Sequence, residues 1–191
     1  VLLNETISIA FQTGDAVEPS IPMANPLDSL FFVGDKESSI GASSVSTIRY
    51  TSKKMEGQAS NKLAYTYNEA NGEAHYIAKN LTAYQGNSES MLGMYVFADY
   101  SFNTLYAKWA VDGDIQYTKI CDLDYAGWLY QEADMSTLPE GVDYQFMGFR
   151  LVRQSSFLSQ KGEISVDALR VQFIPSTSTA VEDIMLPSAK G

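Results

Sequence analysis

The chain is short of the residues on which most enzyme and metal chemistry is built. It has a single cysteine and a single histidine. Cys121 alone can close no internal disulfide, and one sulfur with one imidazole falls short of the usual zinc sites. A Ser-His-Asp triad would have to use His75, which sits at a strand start in Glu73-Ala74-His75-Tyr76, and no G-x-S-x-G elbow accompanies it. No phosphate-cradling or dinucleotide-binding glycine motif is present. Positive charge is scarce too: 13 Lys and Arg stand against 23 Asp and Glu, a net charge of −10. No basic run exceeds Lys53-Lys54, so the chain has nothing with which to neutralise nucleic-acid phosphates or an anionic bilayer. No apolar run approaches the ~20 residues of a membrane span, which argues against direct membrane insertion. Val1-Leu2-Leu3 is too short for a signal peptide, so the chain reads as a mature protein or as a piece of a longer one. Helical periodicity is almost missing.

What remains is alternation. Hydrophobic residues make up 45% of the 191 positions and aromatics 12%, with 12 tyrosines, enough for one sizeable core. Ile7, Ile9 and Phe11 alternate up to a Thr13-Gly14-Asp15 break. Residues 16–46 read as loop-rich around Pro19, Pro22 and Pro26, with a short apolar run at Leu30–Val33. Leu63, Tyr65 and Tyr67 lead into Asn71-Gly72, a hairpin signal, with Tyr76–Leu81 as the partner strand. Met91–Ala98 is apolar on both faces and reads as a central strand. Leu105, Ala107, Trp109 and Val111 precede a second hairpin signal at Asp112-Gly113, with Ile115–Leu123 returning. Trp128–Asp134, a Pro139/Gly141 turn, Phe146–Val152 and Glu163–Phe173 complete the series. A phase slip in the last run predicts a bulge near Asp167-Ala168. About ten short strands at regular spacing predict one all-β domain over 1–173, an antiparallel β-sandwich of jelly-roll type. Residues 174–191, rich in Ser and Thr, read as a linker or tail.

Several motifs carry a family resemblance. Met91-Leu92-Gly93-Met94-Tyr95-Val96-Phe97-Ala98-Asp99-Tyr100-Ser101 resembles the "LG-W-V-Y-GD-G-S" strand and loop of bacterial jelly-roll domains with the galactose-binding-like fold. Those domains accompany phosphodiester glycosidases and other secreted carbohydrate-active enzymes. Asn103-Thr104-Leu105 stands where that family has its post-loop strand. Asp124-Tyr125-Ala126-Gly127-Trp128-Leu129-Tyr130 is similar to its "D-x-x-GW-x-Y" strand, and Gly162–Leu169 to its closing "G-x-I-Y-F-D-D-L" strand. The resemblance runs from about Lys62 to Phe173 and departs at Ala98 and Ala168, where the family has a glycine and an acid. Thr179–Ile184 is similar to linkers in surface proteins of Bacteroidetes. The resemblance implies a carbohydrate-binding-like module in a secreted or cell-surface bacterial protein, beside further domains of the same polypeptide.

The candidate ligand residues follow. Asp99, Tyr100, Phe102 and Asn103 form a loop that mixes rings with polar groups. Sugars are recognised by ring faces against C–H groups and by amides or carboxylates at hydroxyls; the alternative is a polar turn with a partly buried ring. Tyr106 and Lys108 lie opposite the core-facing Leu105, Ala107 and Trp109, and Tyr117 joins them if its register allows. Trp128 is a packing residue by the resemblance, and Cys121 reads as a buried structural thiol. Related sandwiches often hold a structural calcium between first and last strands, which makes Asp167 and Asp15 candidate ligands; the alternative for Asp167 is hydrogen bonding at the bulge. No other cofactor is expected. Three readings result: a non-catalytic sugar-binding module, a spacer or docking domain without a small ligand, and a hydrolase using a carboxylate pair.

Overall fold

The computed structural model describes residues 31–79, 85–86, 91–140, 142 and 144–172. Eleven strands occur among them: β1 (Phe31–Ile40), β2 (Ala42–Tyr50), β3 (Ser60–Tyr67), β4 (Gly72–Lys79), β5 (Gln85–Gly86), β6 (Met91–Asp99), β7 (Thr104–Val111), β8 (Asp114–Asp122), β9 (Ala126–Glu132), β10 (Tyr144–Arg153) and β11 (Lys161–Gln172). One sheet runs β1-β4-β10-β7-β8, with β5 also pairing β10; the other runs β2-β3-β11-β6-β9. Every pairing is antiparallel. The result is the all-β jelly-roll sandwich that alternation and turn spacing predict. The expected strand over 7–11, Asp15 and the tail 174–191 lie outside the described residues.

The inward faces are set by the period of two. Leu105, Ala107, Trp109 and Val111 of β7 are all buried, as are Leu92, Met94, Val96 and Ala98 of β6 on the opposing sheet. Trp109 is fully buried and donates its indole N–H to Thr118 Oγ1 on β8 at 2.8 Å, so its polar atom is satisfied. Phe146 and Phe149 pack edge-to-face at 5.3 Å. Both point inward because β10 carries an irregularity between Phe146 and Gly148.

Two expectations are corrected. The loop-rich reading of 16–46 fails from Phe31 onward, because β1 and β2 are strands. They are the edge strands of the two sheets, so each needs few buried apolar positions; Phe32 and Ala42 serve. The Asp, Lys and Ser that disguise these strands are what exposed edges favour. The hairpin expected at Asn71-Gly72 is instead a crossover, because β3 and β4 belong to different sheets. Gly72 has another use there: a Cβ would run into the Tyr67 ring. The Asp112-Gly113 turn does join a hairpin, β7–β8, with φ of 49° and 91° at its two residues. The closing-strand bulge falls between Asp167 and Arg170, with Ala168 at φ 49°.

Candidate functional site

Residues 99–103 carry the chain from β6 in one sheet to β7 in the other. The loop keeps an alternation of its own. Ser101 and Asn103 are buried, whereas Tyr100 and Phe102 are 58% and 47% exposed. Both aromatic residues sit in the left-handed region, at φ 56° and 59°. That conformation is costly for residues with a Cβ and survives only where the surroundings impose it. Here the backbone imposes it: Tyr100 N–H donates to Tyr125 O and Phe102 N–H to Leu123 O, each at 3.0 Å. The two rings meet edge-to-face with centroids 4.7 Å apart.

The polar members of the loop face the other way. Tyr65 O–H donates to Asp99 Oδ2 at 2.8 Å, and Asn103 Nδ2 donates to Tyr65 Oη at 3.0 Å and to Ser159 O at 3.1 Å. Burial beside the Asp99 carboxylate holds the Tyr65 hydroxyl well above its ordinary range. Gly162 roofs this network, since a Cβ there would collide with Asp99 Oδ2 and Tyr65 Oη. The expected quartet therefore divides. Tyr100 and Phe102 are presented to solvent, while half-buried Asp99 and buried Asn103 are tied into the network around Tyr65.

Tyr106 and Tyr117 lie elsewhere, on the outer face of the six-stranded sheet. Tyr117 is directly across the ladder from Lys108, and Tyr106 is across from Arg150, which in turn faces His75. The Arg150 guanidinium lies 4.4 Å from the Tyr117 ring centre and 5.6 Å from that of Tyr106. It also donates to Glu73 Oε1 at 2.5 Å, and Glu73 Oε2 is 3.3 Å from His75 Nε2. Burial pushes the His75 imidazole below its ordinary value. Burial opposes ionisation of Glu73, but the bonds and charges of Arg150 and His75 prevail and lower its pKa. A shallow depression of about 410 Å³ adjoins this cluster, lined by Ile40, Glu73, Val152 and Gln154 among others. The alternation that places Tyr106 outward was legible, whereas Arg150 and Glu73 become neighbours only through non-sequential strand pairing.

Asp167 is 1% exposed, and its carboxylate accepts backbone N–H groups of Met55 (2.5 Å), Glu56 (3.1 Å) and Ala168 (2.8 Å). Three donors aimed at one carboxylate suit an anion, and no group of three His, Cys, Asp or Glu side chains among the described residues is placed to hold a metal. Asp15, the other candidate ligand, lies outside the described residues. Cys121 is buried, and its thiol is pushed up to about 12 by that burial. Trp128 packs edge-to-face on Phe97 at 5.4 Å.

Sequence reasoning missed Phe157, in the loop between β10 and β11, which is 97% exposed. Its only signal was a bulky apolar residue in the turn-forming stretch Ser155-Ser156-Phe157-Leu158.

The fold has known counterparts. One is the carbohydrate-binding module of family 30 from the cellulosomal cellulase Cel9D-Cel44B of Clostridium thermocellum: TM-score 0.50, 5% identity, 77% of this chain and 92% of that one. Another is the glycoside hydrolase domain of Spr0440, Endo-D, from Streptococcus pneumoniae R6: TM-score 0.56, 11% identity, 74% of this chain. The match spans only 21% of the Endo-D chain. At these identities the likeness is one of fold. The sequence matches no family model and no curated protein.

Proposed function

We propose that this sandwich is a non-catalytic glycan-binding module of a secreted or cell-surface bacterial protein, of the kind that accompanies phosphodiester glycosidases in Bacteroidetes. The observation that carries the reading is the Tyr100–Phe102 pair. Two large aromatic side chains are held in solvent, in a backbone conformation costly to both, on a loop whose polar residues are hydrogen-bonded to Tyr65. A spacer domain gains nothing from such a display. A sugar does, because its C–H faces stack on rings whose edges are fixed in advance. The fold supports the reading, since it is shared with a module named for carbohydrate binding. The Tyr106–Arg150–Tyr117 face is a second polar and aromatic surface open to the same ligand class.

The test is a glycan array probed with the purified chain, backed by calorimetry on each hit. Tyr100→Ala or Phe102→Ala is expected to weaken a hit about tenfold, the equivalent of roughly 1.4 kcal/mol, without lowering Tm. A blank across neutral, acidic and amino sugars overturns the reading in favour of a spacer or docking role. The array is run with calcium and with a chelator, because the structural calcium implied by the resemblance rests partly on Asp15, beyond the described residues.

A further inference from the structure

Phe157 combines near-complete exposure, at 97%, with a hydrogen-bonded backbone. The backbone that carries it is hydrogen-bonded on both sides of the ring. Arg153, at the end of β10 and itself only 7% exposed, grips the carbonyls on both sides of the ring. Its Nη2 donates to Ser156 O and Leu158 O, each at 3.0 Å, its Nε donates to Leu158 O at 3.1 Å, and its Nη1 donates to Glu69 O at 2.7 Å. Ser155 completes the clamp by accepting Phe157 N–H at Oγ (3.2 Å) and Leu158 N–H at its carbonyl (3.1 Å).

The same loop is bonded to the Tyr100–Phe102 loop. Ser159 N–H donates to Ser101 O at 3.2 Å, and Asn103 Nδ2 donates to Ser159 O at 3.1 Å. Ser101 is the residue between the two exposed rings. Two loops bonded to each other thus each present exposed aromatic residues. At 97% exposure Phe157 packs on neither Tyr100 nor Phe102, so it lies outside the ~4.5–7 Å centroid range of ring contact. A pyranose is about the size of a phenyl ring and stacks on one such station at a time.

We infer that Phe157 is a second stacking station, and that the ligand is a glycan chain long enough to touch both loops, not a single terminal sugar. This rests on the glycan-binding reading and sets its substrate class. Affinity rises with chain length up to the unit that reaches Phe157, and Arg153 acts as a positioning residue for that ring.

The experiment titrates the intact chain with a length series, from monosaccharide to tetrasaccharide, of whichever glycan the array returns. Wild type is expected to gain about tenfold at one particular length. Phe157→Ala is expected to erase that gain, leave shorter ligands unchanged and keep Tm, because a fully exposed ring supports no core. Phe157→Trp is expected to retain the gain, and Tyr100→Ala to weaken every length. Wild-type affinities for Phe157→Ala at every length overturn this inference and leave the proposed function standing. Equal loss at every length, the monosaccharide included, also overturns it, by placing Phe157 in a one-sugar site. A concentration-dependent dimer in sedimentation that Phe157→Ala abolishes makes a second copy the occupant and overturns it as well. A blank array overturns both readings.

Discussion

Single residues decide how this site is held, and their roles divide by burial. Period-two patterning placed Trp109 in the core and Tyr106 on the opposite face, because a strand residue's side is fixed by its position alone. It placed the Asp99–Asn103 loop correctly in the chain, but not the direction of each side chain. That direction depends on Tyr65 and Ser159, which are 34 and 56 residues distant from their partners. Phe157 was invisible for the opposite reason: the Arg153 bonds that anchor its loop go to main-chain carbonyls, which have no residue signature. Asp167 shows what such local economy is worth. Removing its carboxylate strands the Ala168 N–H at the buried bulge and releases those of Met55 and Glu56 in the segment between β2 and β3, so Asp167→Ala is expected to cost about 2 kcal/mol, read as a lower urea midpoint at unchanged m-value. A rise in wild-type midpoint with calcium that Asp167→Ala abolishes would instead support the ion implied by the resemblance.

At the scale of elements, turn chemistry was legible where it was local. Asp112 and Gly113 both occupy left-handed backbone, with the glycine at φ 91°, and the turn they make joins adjacent strands of one sheet. Gly113→Ala is expected to lose about 1 kcal/mol through strain alone, since a Cβ there meets open space; chemical denaturation reads it. Asn71-Gly72 carries the same hairpin signature yet spans the two sheets. The dipeptide specifies a reversal, not the sheet that receives the next strand; what selects the sheet is long-range burial, such as Tyr67 donating its hydroxyl to Leu151 O at 2.7 Å. The edge strands β1 and β2 were illegible because an edge is defined by its missing neighbour. Its polar residues satisfy solvent and leave no alternation to read.

The whole molecule carries one histidine and a net charge of −10, a simple background for its acid response. His75 has its pKa lowered by burial, among Glu73, Arg150, Lys108 and Asp35. The unfolded chain therefore binds a proton as pH drops below about 6.5 while the folded chain resists, and stability present above that value is lost on the way down. Glu73, also lowered, adds a second loss below its ordinary value of 4.5. Urea midpoints are expected to fall between pH 7.5 and 5.5 in wild type, and His75→Gln to flatten that slope; an identical slope in both would assign the loss to other groups. The order of strands has a further consequence, in time. β10 is the strand that joins β4 to β7, and β11 the strand that joins β3 to β6. Among the described strands, those that precede β10 can make four separate ribbons as they leave the ribosome, β1 with β4, β7 with β8, β2 with β3 and β6 with β9, and two-stranded ribbons barely persist in water. β10 and β11 are the keystones, so until they emerge each of these ribbons keeps an unpaired edge open to its neighbours, and the need for protection is greatest just before they arrive.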